Sequence, residues 1–111
     1  MVNIDKETQR QIQELQILEQ NLQNILMQKQ ALDLELSEIE NASEEIKKSD
    51  EEVYKLVGQI MVKSKKADIQ KEMSERKDIL LLRTKSLDNQ EKELGKKAEE
   101  LREKVLNKIQ E

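Results

Sequence analysis

Apolar residues recur with heptad spacing in two long segments of the chain, on either side of residues 52–64. In the first segment they occupy positions a and d of the heptad, the pattern of a coiled-coil seam. The apolar residues of this seam are Leu15, Leu18, Leu22, Ile25, Leu32, Leu36, Ile39 and Ile46. The pattern predicts an amphipathic helical arm over about residues 5–50.

The second segment carries a weaker seam and predicts a helical arm over about residues 67–110. Its d positions hold Met73, Leu80, Leu87, Leu94 and Leu101. Its a positions mix polar and apolar residues, from Lys77 to Val105. Because two arms of similar length flank a single turn, we predict that they pair antiparallel, with Leu36 opposite Leu80.

The run between the arms is predicted to form a β-hairpin with a turn at Gly58 and Gln59. Gly58 suits the first central position of a type II′ turn, where φ is positive. The residues of the hairpin that we assign to assembly are Val53, Tyr54, Leu56, Val57, Gly58, Ile60, Met61 and Val62. Both faces are apolar, and an isolated two-stranded hairpin is marginal in water, so we expect it to pair with hairpins of other chains. The alternative, one helix running through the hairpin, is disfavoured by Gly58 and the β-branched residues around it.

The composition excludes an ordinary globular core. Of 111 residues, 40% are charged and 1% are aromatic, and there is no Pro, Cys or His. Such a chain is either disordered or a long helix with an apolar stripe, and the regular Leu and Ile spacing favours the helix. We therefore expect a single elongated domain over residues 1–111, mainly α, formed by an antiparallel two-helix coiled coil with one β-hairpin at the connection.

The charge and the residue types argue against several classes of function. Without His or Cys there is no obvious nucleophile–base pair and no thiolate metal site, so we expect no enzyme, metal or cofactor. The net charge of −4 and the lack of a dense basic patch argue against nucleic-acid and membrane binding. No apolar run has the length of a membrane span or a signal peptide, which makes the cytoplasm the expected location.

The free ends of the two arms are a candidate binding surface. The seam becomes polar there, so we expect the ends to fray and to leave apolar side chains poorly covered. These candidates are Val2, Ile4, Ile12, Val105, Leu106 and Ile109. In the alternative, Ile12 and Val105 simply complete the coiled coil.

The run Glu52–Gly58, followed by Ile60–Lys63, resembles the single hairpin of the β-type subunits of prefoldin, a hexameric co-chaperone. Gln28-Lys29-Gln30 and Leu82-Arg83 are also similar to residues of that family. The resemblance implies that four β-type and two α-type chains join their hairpins into an intersubunit β-barrel from which six coiled coils extend. It also implies that the ends of the arms bind unfolded client proteins and pass them to a group II chaperonin without nucleotide.

A different class of function is compatible with the same fold. The chain would then be a structural coiled-coil tether or adaptor subunit that binds a defined helix and has no affinity for unfolded proteins. A tether is expected to form a dimer or a fixed heteromer, whereas a chaperone subunit is expected to require a second subunit type.

Overall fold

The computed structural model describes residues 4–50 and 52–110, which form two helices and two strands. Their order is α1 (Lys6–Lys48), β1 (Val53–Val57), β2 (Ile60–Ser64) and α2 (Lys66–Gln110). The predicted fold class, two long helices with a β-hairpin at their connection, is confirmed. The intersubunit barrel involves several chains and stays a prediction.

Helix α1 begins with an N-cap that the heptad pattern does not reveal. The backbone N–H of Thr8 donates a hydrogen bond to Asp5 Oδ1 at 2.7 Å, and the N–H of Gln9 donates to the Asp5 carbonyl at 3.0 Å. These bonds satisfy helix-terminal N–H groups that have no intrahelical partner. Hydrogen bonding to Thr8, and secondarily the nearby Lys108 ammonium, lowers the pKa of Asp5.

The a and d positions form the least exposed stripe of each helix. Every apolar residue that we assigned to the two seams, from Leu15 to Leu101, is buried or half-buried. Ser43 at an a position and Met73 at a d position also meet, because the Ser43 hydroxyl donates a weak hydrogen bond to Met73 Sδ at 3.9 Å. This contact has the same antiparallel register as the predicted pairing of Leu36 with Leu80.

The chain packs as two units. The first joins the part of the chain up to Lys29 with the part from Lys85 onward, and the second is Gln30–Thr84. The buried apolar residues of the first unit are Ile25, Leu87, Ala98 and Val105. Those of the second unit are Ile69 and Leu80. The buried apolar residues of the first unit therefore come from both helices, whereas those of the second unit both lie on α2.

A charged residue, Lys29, occupies the seam of the first unit and forms ion pairs with α2 there. Lys29 lies at an a position of α1, and its side chain is only 24% exposed. Its ammonium lies 2.7 Å from Asp88 Oδ1 and 3.1 Å from Glu91 Oε2, both on α2. The hydrogen bonds, with Asp88 first and Glu91 second, raise the pKa of Lys29. Glu91, a charged residue in the weaker seam of α2, is thus tolerated because it meets an oppositely charged partner on α1.

The hairpin has the predicted register and turn. Val57 pairs with Ile60, Leu56 with Met61, and Lys55 with Val62. Gly58 has a φ of 61°, whereas Gln59 does not have a positive φ. Positive φ at only the first central residue distinguishes a type II′ turn from a type I′ turn.

Candidate functional site

The β-hairpin presents apolar side chains on both of its faces. Val57, Ile60 and Val62 lie on one face, and Tyr54, Leu56 and Met61 lie on the other. All six are exposed, up to 68% for Ile60 and Met61, while Val53 is half-buried. In the part of the chain that the structure describes, the sheet contains only β1 and β2, so each strand has one edge without a neighbouring strand. Two apolar faces and two open edges make the hairpin a surface suited to pairing with other chains.

Ion pairs hold the hairpin at the junction of the helices. The Lys55 ammonium on β1 lies 2.8 Å from Glu72 Oε2 on α2. Lys63 on β2 lies 2.5 Å from Glu52 Oε1, and the Tyr54 hydroxyl donates a hydrogen bond to Glu52 Oε2 at 2.9 Å. Lys63 first, and Tyr54 second, lower the pKa of Glu52. These contacts fix the hairpin without covering its apolar faces.

Lys66, the first residue of α2, contacts the end of α1. Its ammonium donates hydrogen bonds to the carbonyl of Ser49 at 3.0 Å and to that of Lys47 at 3.3 Å. The last carbonyls of a helix lack intrahelical partners and carry the negative end of its dipole, so a lysine stabilises them. Spacing along the chain gives no signal for the partners of Lys63 and Lys66.

The ends of the arms are better covered than the sequence predicts. Val105 is only 6% exposed, so the expectation of poor cover is wrong at this residue. Thr8 is 2% exposed, helix α2 continues to Gln110, and the Lys108 ammonium lies 3.7 Å from Asp5 Oδ2. Both helices therefore extend into the described arm ends, where the N-cap and a buried a position complete the coiled coil.

The other candidate residues at the arm ends differ in how exposed they are. Ile4 is 39% and Leu106 is 48% exposed, whereas Ile12 and Ile109 are half-buried. Val2 lies outside the described residues. The exposed apolar surface at the ends is therefore smaller than predicted.

An apolar groove in the first unit was missed by the heptad analysis. It has a volume of about 420 Å³ and is lined by the apolar residues Ile17, Leu18 and Leu101 and by the charged residues Glu14, Lys97, Glu100 and Lys104. Ile17 lies at a c position, outside the seam, and is 59% exposed. An isoleucine outside positions a and d is itself a sequence signal for such a surface.

Nothing in the described residues suggests a metal centre or a membrane span. Across residues 4–50 and 52–110, no three His, Cys, Asp or Glu side chains are placed to hold a metal ion together. Neither α1 nor α2 has a stretch that is long and apolar enough to cross a membrane.

Comparison with known proteins agrees with the geometry of the hairpin and arms. The family model described as "Prefoldin subunit" matches residues 9–111. The chain belongs to the prefoldin family. The prefoldin subunit beta of Thermococcus onnurineus is 39% identical over 107 residues, covering 95% of this chain and 92% of that protein. The prefoldin subunit beta of Archaeoglobus fulgidus is 38% identical over 109 residues, covering 96% of this chain and 94% of its own length.

A crystal structure of a prefoldin subunit also superposes on this fold. The prefoldin beta subunit of Thermococcus strain KS-1 has a TM-score of 0.91 and 34% identity, covering 100% of this chain and 99% of that chain. Prefoldin subunits are components of a chaperone rather than enzymes, and they assemble with one another. The chain is therefore a chaperone component that assembles with other prefoldin subunits.

Proposed function

We propose that this chain is a β-type subunit of a cytoplasmic, hexameric prefoldin with two α-type and four β-type chains. The complex binds unfolded proteins at the ends of its coiled-coil arms and transfers them to a group II chaperonin without nucleotide. The observation that supports the proposed assembly is the exposure of six apolar side chains on the two faces of the hairpin. Surface of this kind requires a partner, and the hairpin of another subunit supplies matching strands and apolar faces.

The exposed residues Ile4 and Leu106 support client binding at the ends of the arms, with Val2, Ile12 and Ile109 as the remaining candidates. Covering one apolar side chain contributes about 1.5–3 kcal/mol at most. Each such contact is weak and reversible, but several arms that bind one unfolded chain act together through their high effective concentration. The groove beside Ile17 extends the apolar surface of the same unit.

A double variant tests the client site separately from the assembly. Ile4→Ser with Leu106→Ser removes two apolar side chains that are exposed at the arm ends. The variant chain and the wild type are each mixed with an α-type prefoldin subunit, and their masses are measured by light scattering. Suppression of the aggregation of a denatured protein is then compared. We expect an intact hexamer with several-fold weaker suppression.

Leu82→Ser is the matched control, because Leu82 is exposed but lies in the second unit. We expect this variant to keep both the hexamer and the suppression of aggregation. Full activity of the double variant would refute the assignment of the client site to these residues. A wild-type chain that forms a stable dimer and ignores both the α-type subunit and the denatured protein would instead indicate a structural tether.

A further inference from the structure

The two helices carry opposite charges at the e and g positions that flank their seams. On α1 the charged residues at these positions are Glu7, Glu14, Glu19, Asp33, Glu35 and Glu40, with Lys47 as the single basic exception. On α2 they are Arg76, Arg83, Lys97, Arg102 and Lys104, with Asp88 as the single acidic exception. Residues at e and g set the choice of partner and the orientation in coiled coils.

The structure pairs these flanks across the seam. In the second unit, Arg76 Nη2 lies 2.7 Å from Glu35 Oε1, which joins two g positions. In the first unit, Arg102 Nη2 lies 3.0 Å from Glu19 Oε1, which joins two e positions. Equivalent positions of the two helices meet in this way when a coiled coil is antiparallel.

The acidic exception on α2 has a basic partner in the seam of α1. Asp88 contacts Lys29 at 2.7 Å, and Lys29 is the basic residue that interrupts the apolar seam of α1. Glu91 at an a position of α2 contacts the same ammonium at 3.1 Å. Lys29, Asp88 and Glu91 therefore compensate one another, which extends the complementarity from the flanks into the seam.

We propose that this charge pattern selects α2 as the partner of α1 and rejects a second copy of α1. The seam of α1 is the more apolar of the two, so hydrophobic pairing alone does not prevent contacts between α1 helices when hairpins bring several chains together. In a pair of α1 helices, acidic flanks face acidic flanks and Lys29 meets neither Asp88 nor Glu91. Exposed ion pairs stabilise weakly, but opposed like charges discriminate between partners.

Reversal of charges in the full-length chain tests the selection of α2. The chain has no cysteine, so Ser43→Cys with Met73→Cys places a reporter disulfide where the two side chains now touch. The fraction of intrachain disulfide is measured at equilibrium in a glutathione buffer. Three charge variants are compared in this background: Glu19→Arg with Glu35→Arg, Arg76→Glu with Arg102→Glu, and all four changes together.

Each two-residue reversal is expected to lower the equilibrium constant for the intrachain disulfide by about tenfold, and the four-residue reversal to restore most of the loss. Glu38→Arg with Glu45→Arg is the matched control, because it changes the charge of α1 equally at exposed c positions. Two-residue reversals that behave like this control, or a four-residue reversal without recovery, would overturn the selection of α2.

A separate measurement tests whether the charges prevent α1 helices of two copies from pairing. With Ser43→Cys as the only cysteine, an interchain disulfide reports contact between α1 helices of two copies. Changing Glu14, Glu19, Glu35 and Glu40 to Gln removes four of the six acidic charges of this flank without changing the seam. We expect several-fold more interchain disulfide, and no increase would overturn the rejection.

Discussion

Gly95 shows how one residue weakens α2 without serving a packing role. A methyl group built at this position meets no heavy atom within 4 Å. Glycine in a helix interior costs about 1 kcal/mol relative to alanine, because it loses more backbone entropy on folding. We therefore predict that Gly95→Ala raises the free energy of unfolding by about 1 kcal/mol, measured by circular dichroism during urea denaturation.

Gly58 is the matched control for that prediction, because a methyl group at Gly58 also meets no heavy atom within 4 Å. Its φ of 61°, however, is unfavourable for alanine. Gly58→Ala should therefore destabilise the hairpin although it creates no clash. A lower unfolding midpoint for Gly95→Ala would show that the glycine has a role beyond the contacts seen in the structure.

The N-cap makes α1 sensitive to acid. The pKa of Asp5 is lower in the folded chain than its ordinary value of 3.8 because the ionised carboxylate accepts hydrogen bonds from Thr8. A carboxyl with a lowered folded pKa contributes stability above its unfolded pKa, and that contribution is lost as the pH falls through the folded value. We predict that wild-type stability decreases below about pH 4 in part through Asp5.

Asp5→Asn isolates this contribution, because asparagine caps helices but does not titrate. Thermal unfolding midpoints of both chains are compared between pH 6 and pH 2. The wild type should lose more stability over this range than the variant does. Identical pH dependence of the two chains would contradict a role for Asp5.

At the scale of the elements, the seams and the hairpin register could be predicted because periodicity alone determines them. A heptad places Leu22 and Leu80 in the seam whatever lies opposite, and a turn at Gly58 determines the partner of Ile60. The exposure of a side chain at the arm ends depends instead on which residues of the other helix pack against it. Val105 is buried, although polar residues around it suggested an exposed end.

Lys66 lies at the junction of the elements, where we predict a measurable effect on local stability. Its ammonium is the donor to the carbonyls of Lys47 and Ser49 at the end of α1. Lys66→Met removes this donor and should lower stability by about 0.5–1 kcal/mol. Hydrogen exchange of the amides in residues 45–64 measures the effect, and we expect faster exchange there than in the wild type.

Lys65→Met provides the matched control for the junction. Lys65 is the neighbouring exposed lysine, and it has the same charge and side-chain length. We expect this variant to exchange like the wild type. Equal exchange in the Lys65 and Lys66 variants would indicate that the contact with α1 contributes nothing to the junction.

At the scale of the whole molecule, the hairpin surface that we propose for assembly differs from the surfaces that pair α1 with α2, so the two roles can be tested separately. Leu56 and Met61 form a cross-strand pair on one face of the hairpin, where Leu56 is 67% exposed. Leu56→Ser with Met61→Ser makes that face polar and leaves both seams intact. We predict that the variant keeps its helical circular dichroism but no longer forms a complex with an α-type prefoldin subunit.

Leu34→Ser with Leu82→Ser tests whether this loss is specific to the hairpin. Leu34 and Leu82 are as exposed as the hairpin pair, at 64% and 69%, but they lie on the helices. Because both residues are exposed at f positions, outside the seams, this control should assemble like the wild type in light scattering. If both double variants lost assembly equally, exposed apolar surface in general would drive association, and the hairpin would have no privileged role.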